Sequence, residues 1–344
     1  MKRFAWIVTI LATALFVGSS CREARDRREM IEETLANKAD VTILVTDSGL
    51  GGLSVAADVA ARLPESGVFR SARIVFYNAL FHNSGYNNLK TEAEKVRIFN
   101  AVLKAMNRRY QPDLLLIACN TLSVVYDKTP FAQRAPFPAV GIVETGVDLI
   151  ARELEKQPEA SVLVFGTLTT IESNAHRNLL VERGFAADRI IGQACHRLAG
   201  AIERGTASEE TVGYIRRFVG EALAKLQDPA TPVFGSFNCT HYGYTRRQFE
   251  EAFAAAGRPG IVLLDPNPLM ADFIFQPPYV GRFPRTEVSV EVISKLEITK
   301  QERASIGPLL RAVSPLTADA FENYTLDPCL FKVKFTPPPE EKTK

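Results

Sequence analysis

The sequence predicts an α/β fold of two pseudo-symmetric, doubly wound parallel-sheet domains, with a site in the cleft between them. Short continuous apolar runs alternate with longer amphipathic stretches, which is typical of parallel strands that helices cover on both faces. Polar clusters follow several of the runs, and ligands bind at the carboxyl ends of strands in such sheets. The predicted strands are Val41–Val45, Ala72–Tyr77, Leu114–Ala118, Val140–Val143, Val162–Phe165, Arg189–Gly192, Val233–Phe237 and Ile261–Leu264.

Composition narrows the class of protein further. The chain has 344 residues, 46% of them hydrophobic, which is enough for one large domain or two ordinary ones. Its net charge of +2 falls to zero without Lys2 and Arg3, and this argues against a nucleic-acid partner. Five cysteines are too few for a disulfide-dense scaffold. Neither Cys-x-x-Cys nor His-Glu-x-x-His occurs, so we expect no metal site.

The amino-terminal sequence has the features of a signal peptide. Lys2 and Arg3 precede the apolar run Phe4–Val17, which is shorter than the roughly 20 residues of a membrane-spanning helix. Small residues then lead into Cys21, as in a bacterial lipobox, although Gly18 stands where that motif prefers Leu. We expect a lipid anchor at Cys21 and a location in the cell envelope facing the periplasm. Two alternatives stay open for this segment, an ordinary signal peptide and an uncleaved membrane anchor. If the segment does not direct export, the protein would be cytoplasmic.

The remaining pattern gives the helices and the domain limits. Predicted helices are Thr91–Arg109, Gly146–Lys156, Ile171–Arg183, Cys195–Glu203, Glu209–Leu226 and Lys300–Ala312, and Glu287–Ile298 alternates like a half-buried strand. The predicted division is a signal peptide (1–21), a tether (22–40), a first α/β domain (41–142 with about 243–300), a second (143–242), and a carboxyl-terminal extension (301–344) with a disordered end.

Three predicted strands end in clusters of chemically capable residues. Asp47 and Ser48 open a glycine-rich turn after the first strand, which by itself is weak support for a ligand site. Cys119 and Cys239, 120 residues apart, each follow an apolar strand and precede hydroxyl or amide residues. A single free cysteine is commonly a small buried hydrophobe. Two in matching places suggest an internal repeat in which each half presents one thiol.

A pair of thiols suits the inversion of a stereocentre beside a carboxylate. That reaction needs a base on one face of the carbon and an acid on the other, and a thiol with a pKa of about 8.5 can serve as either. Asp47 and His241 are candidates to assist proton movement. Side chains able to hold a substrate's carboxylates and ammonium are those of Ser48, Asn120, Thr121 and Thr240.

These motifs resemble the glutamate racemases of the aspartate/glutamate racemase superfamily. The resemblance rests on Asp47–Leu53, Ala118–Thr121, Gly141–Glu144, Gly166–Ser173 and Cys239–Tyr242, and covers roughly residues 41 to 275. It implies a cofactor-independent two-base racemase that makes D-glutamate for peptidoglycan. It also implies catalysis by Cys119 on the D-enantiomer and Cys239 on the L-enantiomer, with help from Asp47 and His241. The implied substrate-binding residues are Ser48, Gly85, Asn120, Thr121, Thr170 and Thr240.

The resemblance has departures, and other functions stay open beside it. Asn83–Tyr86 stands where the family has Pro-Tyr-Gly, so that only Gly85 corresponds, and Gly243 replaces a proline. An oxidising periplasm could join two facing thiols. The alternatives are a racemase of aspartate or a related acid, an inactive envelope lipoprotein that binds amino acids, and a cysteine hydrolase. The expected partner is a small acidic amino acid, and a homodimer is left open.

Overall fold

The computed structural model describes residues 27–335. The predicted signal peptide, the lipidation of Cys21 and the disordered carboxyl-terminal end lie outside these residues, and they stay predictions. Within residues 27–335, no helix is both long and apolar enough to cross a membrane.

The first sheet has six parallel strands in the order β10-β9-β2-β1-β3-β4. Buried apolar side chains cover both faces, as the continuous apolar runs predict. The strands are β1 (Asp40–Asp47), β2 (Ser71–Asn78), β3 (Leu114–Ile117), β4 (Ala139–Gly141), β9 (Glu287–Ser294) and β10 (Thr325–Leu326).

The second sheet has four parallel strands in the order β6-β5-β7-β8. It too is buried on both faces. The strands are β5 (Ser161–Gly166), β6 (Ile190–Ala194), β7 (Val233–Asn238) and β8 (Val262–Leu264). Two parallel-sheet α/β units are therefore present, and the predicted fold class is confirmed.

Helices connect the strands of both sheets. They are α1 (27–37), α2 (Leu53–Ser66), α3 (Glu92–Tyr110), α4 (Asn120–Tyr126), α5 (Ile142–Lys156), α6 (Leu168–Glu172), α7 (Ala175–Glu182), α8 (Leu198–Arg204), α9 (Glu209–Leu223), α10 (Arg246–Ala255), α11 (Lys300–Val313) and α12 (Pro315–Glu322). The predicted helix over 171–183 is two helices, because Asn174 adopts the left-handed conformation between them. The predicted strand over 140–143 ends at Gly141, where α5 begins.

The chain leaves the second unit later than the sequence predicts. Strand β8, assigned above to the first domain, pairs with β7. Helix α10 also belongs to the second unit, because Phe249 and Phe253 pack on Phe165 of β5. The second unit therefore extends to Leu264, about 20 residues beyond the predicted boundary at residue 242.

Both ends of the described chain belong to the core of the first unit. The predicted tether is helical over residues 27–37 and places Leu35, 1% exposed, in the core. The predicted extension likewise adds Ile306, Leu310 and Phe321 to that core. In each case apolar side chains recur on one face of a helix, and their burial in the first-unit core outweighs the surrounding charges. In the extension, α11 packs on α2, and α12 packs on both α2 and β9.

Because α1 is part of the core, Leu35→Ala is expected to lower the free energy of unfolding by about 2–5 kcal/mol. Urea denaturation of the reduced protein measures this. The exposed Glu33 on the same helix provides the control, since Glu33→Ala should change stability by no more than about 0.5 kcal/mol. Equal, small effects of the two substitutions would show that α1 is a tether after all.

Candidate active site

A cavity of about 280 Å³ is lined by loops that follow strands of both sheets. This is the position expected for a ligand site in α/β units, because the carboxyl ends of parallel strands meet along one edge. The predicted site residues that line the cavity are Asp47, Ser48, Gly85, Cys119, Asn120, Thr121, Cys239, Thr240 and His241. Of the residues predicted for the site within the described chain, only Thr170 does not reach it.

Cys119 stands on the first-unit wall, between the end of β3 and the start of α4. Its side chain is 5% exposed, and its Sγ lies 3.1 Å from Ser48 Oγ. Burial raises the pKa of the Cys119 thiol well above its usual range, and the negative charge of Asp47 raises it further. The raised pKa favours the protonated thiol, which can donate its proton only to a strong base such as a carbanion.

Cys239 stands on the second-unit wall at the end of β7 and has a charged neighbour. Its Sγ lies 3.5 Å from Nδ1 of His241, and Nε2 of that imidazole lies 2.7 Å from Glu203 Oε1. Burial alone would lower the pKa of His241, but the hydrogen bonds and charges of Cys239 and Glu203 raise it well above its usual range. The imidazolium therefore places a positive charge beside the Cys239 sulfur.

Glu203 is a site residue that sequence reasoning missed. It lies on α8, 38 residues before His241, and it also accepts a hydrogen bond of 2.7 Å from the backbone N–H of Leu50. Burial would raise the pKa of Glu203, but the hydrogen bond and charge of His241 lower it overall. Its sequence context is that of an ordinary helical glutamate, so no local signal marks it.

Asp47 joins the two walls. Its carboxylate accepts hydrogen bonds of 2.6 Å from the N–H groups of Ser48 and Gly52, and one of 2.6 Å from the Thr240 hydroxyl. Gly51 permits this close approach, because a Cβ there would lie 2.7 Å from the backbone nitrogen of His241. The glycine-rich turn thus allows the two units to come into contact. Thr240 both donates a hydrogen bond to Asp47 and lines the cavity.

Polar groups suited to a carboxylate or an ammonium line the cavity between the two thiols. Both polar atoms of the Asn120 amide are buried without a hydrogen-bond partner among the described residues, and so are available to a ligand. Thr121 Oγ1 lies 2.8 Å from Thr167 Oγ1, which in turn lies 2.9 Å from Thr170 Oγ1. Thr167 lines the cavity and Thr170 stands behind it, so Thr167 takes the place predicted for Thr170.

The loop after β6 also differs from the prediction. Helix α8 begins at Leu198 rather than at Cys195, so that Cys195 and His196 belong to the loop, and both residues border the cavity. Burial raises the pKa of the Cys195 thiol. Arg197 adopts a left-handed conformation with a φ of 66° and lines the cavity, with no ion-pair partner in the part of the chain that the structure describes.

Fold and cavity together define the class of protein. Two parallel-sheet α/β units that each bring one thiol to a shared cavity are the architecture of an amino-acid racemase, an isomerase. The chain belongs to the Asp/Glu racemase family, because the family model described as "Asp/Glu/Hydantoin racemase" matches residues 28–271.

Individual relatives agree with this assignment. The glutamate racemase of Syntrophus aciditrophicus is 30% identical over 240 residues, which cover 66% of this chain and 76% of the relative. The glutamate racemase of Lactiplantibacillus plantarum is 28% identical over 224 residues, 64% of this chain and 72% of the relative. Among solved structures, the fold resembles that of glutamate racemase from Francisella tularensis in complex with D-glutamate. The TM-score is 0.60 at 20% identity, over 80% of this chain and 95% of that one.

Because Glu203 helps to keep His241 protonated, Glu203→Gln is expected to lower the pKa of His241. NMR titration of the imidazole resonances measures the change. The control is Glu210→Gln, since Glu210 of α9 pairs with Arg204, the residue after Glu203 on α8, and not with His241. An unchanged His241 titration in Glu203→Gln would show that the carboxylate does not set the charge of the imidazole.

Proposed function

We propose that the protein interconverts L- and D-glutamate by proton transfer between two thiols and the α-carbon. The observation that carries the proposal is the unequal surroundings of the two thiols. Cys119 is buried near the Asp47 carboxylate and stays protonated, while Cys239 faces the His241 imidazolium. One wall of the cavity therefore holds an acid and the other a base, as inversion at a carbon requires.

In the direction from L-glutamate, the Cys239 thiolate removes the α-proton. The Cα–H bond breaks, an S–H bond forms, and the electron pair stays on the α-carbon in conjugation with the carboxylate. The Cys119 S–H bond then breaks and its proton reaches the opposite face of that carbon. The product is D-glutamate, and the thiolate is now on Cys119, which is the form that acts on the D-enantiomer.

Substrate binding follows from the polar lining. The free amide of Asn120 and the hydroxyls of Thr121 and Thr167 can hold the α-carboxylate and ammonium between the thiols. Donors to that carboxylate also stabilise the negative charge that develops when the α-proton leaves. The positive charge of Arg197 at the same cavity favours an acidic substrate. The relatives named above are glutamate racemases, and this supports glutamate over aspartate.

The biological setting is a further part of the proposal. D-Glutamate is the product that a cell-wall role requires, and we propose peptidoglycan synthesis as its use. The envelope location and the lipid anchor at Cys21 depend on residues outside 27–335. If the protein is exported, its activity requires that Cys119 and Cys239 stay reduced.

Because each thiol is required for one half of the transfer, both Cys119→Ala and Cys239→Ala are expected to lose racemisation by at least about 10²–10⁴-fold. Circular dichroism of L- and D-glutamate solutions, incubated with the reduced enzyme, measures the loss. Cys329→Ser is the control, since the exposed Cys329 thiol lies outside the cavity and its hydrogen bond to Asp327 uses the backbone N–H, which serine keeps. Full racemisation by either cavity variant would contradict the two-thiol mechanism.

A further inference from the structure

The last described residues of the chain pack against a loop that forms one wall of the cavity. We call residues 327–335 the tail and residues 79–89 the β2–α3 loop. The centroid of the Phe335 ring lies 4.9 Å from that of Phe81, in an edge-to-face contact, and 5.0 Å from that of the His82 imidazole. Both partners belong to the β2–α3 loop, so the tail covers this loop directly.

The β2–α3 loop contributes a large part of the cavity wall. Leu80 and residues 83–88 line the cavity, and the loop contains no proline to restrict its backbone. Its internal hydrogen bonds are local: Gly85 N–H donates to the carbonyl of His82 at 2.9 Å, and Leu89 N–H to the carbonyl of Tyr86 at 3.2 Å. Such bonds fix the turns within the loop, whereas its position against the sheet depends on the side chains that pack on it.

A chain of aromatic rings leads from the tail to the cavity. Phe81 contacts Phe335 on one side and Tyr86 on the other, where the ring centroids are 5.1 Å apart and the planes are nearly perpendicular. Tyr86 is 1% exposed and borders the cavity. Phe335 is thus separated from the cavity wall at Tyr86 by a single ring, that of Phe81.

The tail is itself fixed to the first unit. The backbone N–H of Asp327 donates to the carbonyl of Ser294 at 2.9 Å, and the Asp327 carboxylate pairs with Arg109 at 2.5 Å. Phe331 is 1% exposed and stacks on Tyr77 of β2, with ring centroids 6.2 Å apart. The tail also lies beyond residue 271, where the match to the family model ends.

We propose that the tail is a positioning element for substrate binding, in which Phe335 holds the β2–α3 loop in the conformation that lines the cavity. The substrate's identity rests on the function proposed above. Without the tail, the loop must become ordered when substrate binds, and this cost lowers affinity. The chemical step should change little, because Cys119 and Cys239 follow β3 and β7 and lie outside the loop.

The test compares Phe335→Ala with the unaltered full chain. We expect KM for L-glutamate to rise about tenfold, which corresponds to about 1.4 kcal/mol, while kcat changes less than about twofold. Hydrogen–deuterium exchange should be faster at the Gly85 and Leu89 amides, whose backbone hydrogen bonds lie inside the loop. Phe335→Tyr keeps the ring and should restore both values.

Tyr324→Ala provides the matched control. Tyr324 is an aromatic residue of the same extension, but it packs on the first-unit core and its hydroxyl accepts a 2.9 Å hydrogen bond from Ile298 N–H. This variant should lose thermal stability and leave KM and loop exchange unchanged. Phe335 follows the last strand and is only partly buried, so Phe335→Ala should keep the melting temperature of the parent.

Unchanged loop exchange in Phe335→Ala would overturn the proposal, and so would an equal fall of kcat and stability in both variants. An unaltered chain that racemises no acidic amino acid would refute the proposed function instead. The exchange of the Gly85 and Leu89 amides would still decide whether the tail orders the loop, because that measurement needs no substrate.

Discussion

The geometry of the cavity depends on one buried carboxylate, that of Asp47. It binds two backbone N–H groups of its own loop and the Thr240 hydroxyl of the other unit, so it fixes the two walls relative to each other. The same charge lies close enough to Cys119 to oppose its ionisation. A buried carboxylate is stable only when it is fully hydrogen-bonded, and here the required partners come from both units.

The two thiols that the proposed mechanism uses as acid and base lie in different surroundings. The thiols of Cys119 and Cys239 end equivalent strands of similar sheets, yet one meets a carboxylate and the other an imidazolium. The difference arises within each wall, because Asp47 belongs to the same unit as Cys119, while His241 and Glu203 belong to the same unit as Cys239. Glu203 also accepts a hydrogen bond from the backbone N–H of Leu50 in the first unit. In the proposed mechanism, the environment alone decides which of two identical side chains acts as the acid and which as the base.

Much of this arrangement could be predicted from local sequence, because strand ends carry their own signals. Apolar runs followed by Cys119 or Cys239 locate both thiols at the edges of parallel sheets. Glu203 gave no such signal, since it acquires its role only through a partner distant in the chain. Thr167 directly follows β5, but the sequence did not show that Thr167, rather than Thr170, lines the cavity. The place of β8 was missed because a short apolar run does not reveal which sheet it joins. The role proposed for Phe335 could not be predicted from the sequence either, because it depends on contact with the β2–α3 loop.

The central claim is that two different thiols act on opposite faces of the α-carbon. It is tested most directly by incubating the reduced enzyme with L-glutamate in deuterated buffer and analysing both enantiomers at early times. The account predicts that the D-glutamate formed carries deuterium at the α-carbon, while the remaining L-glutamate keeps its proton. Deuterium in the L-glutamate pool at the same rate, or D-glutamate that retains the original proton, would indicate a single base and contradict it.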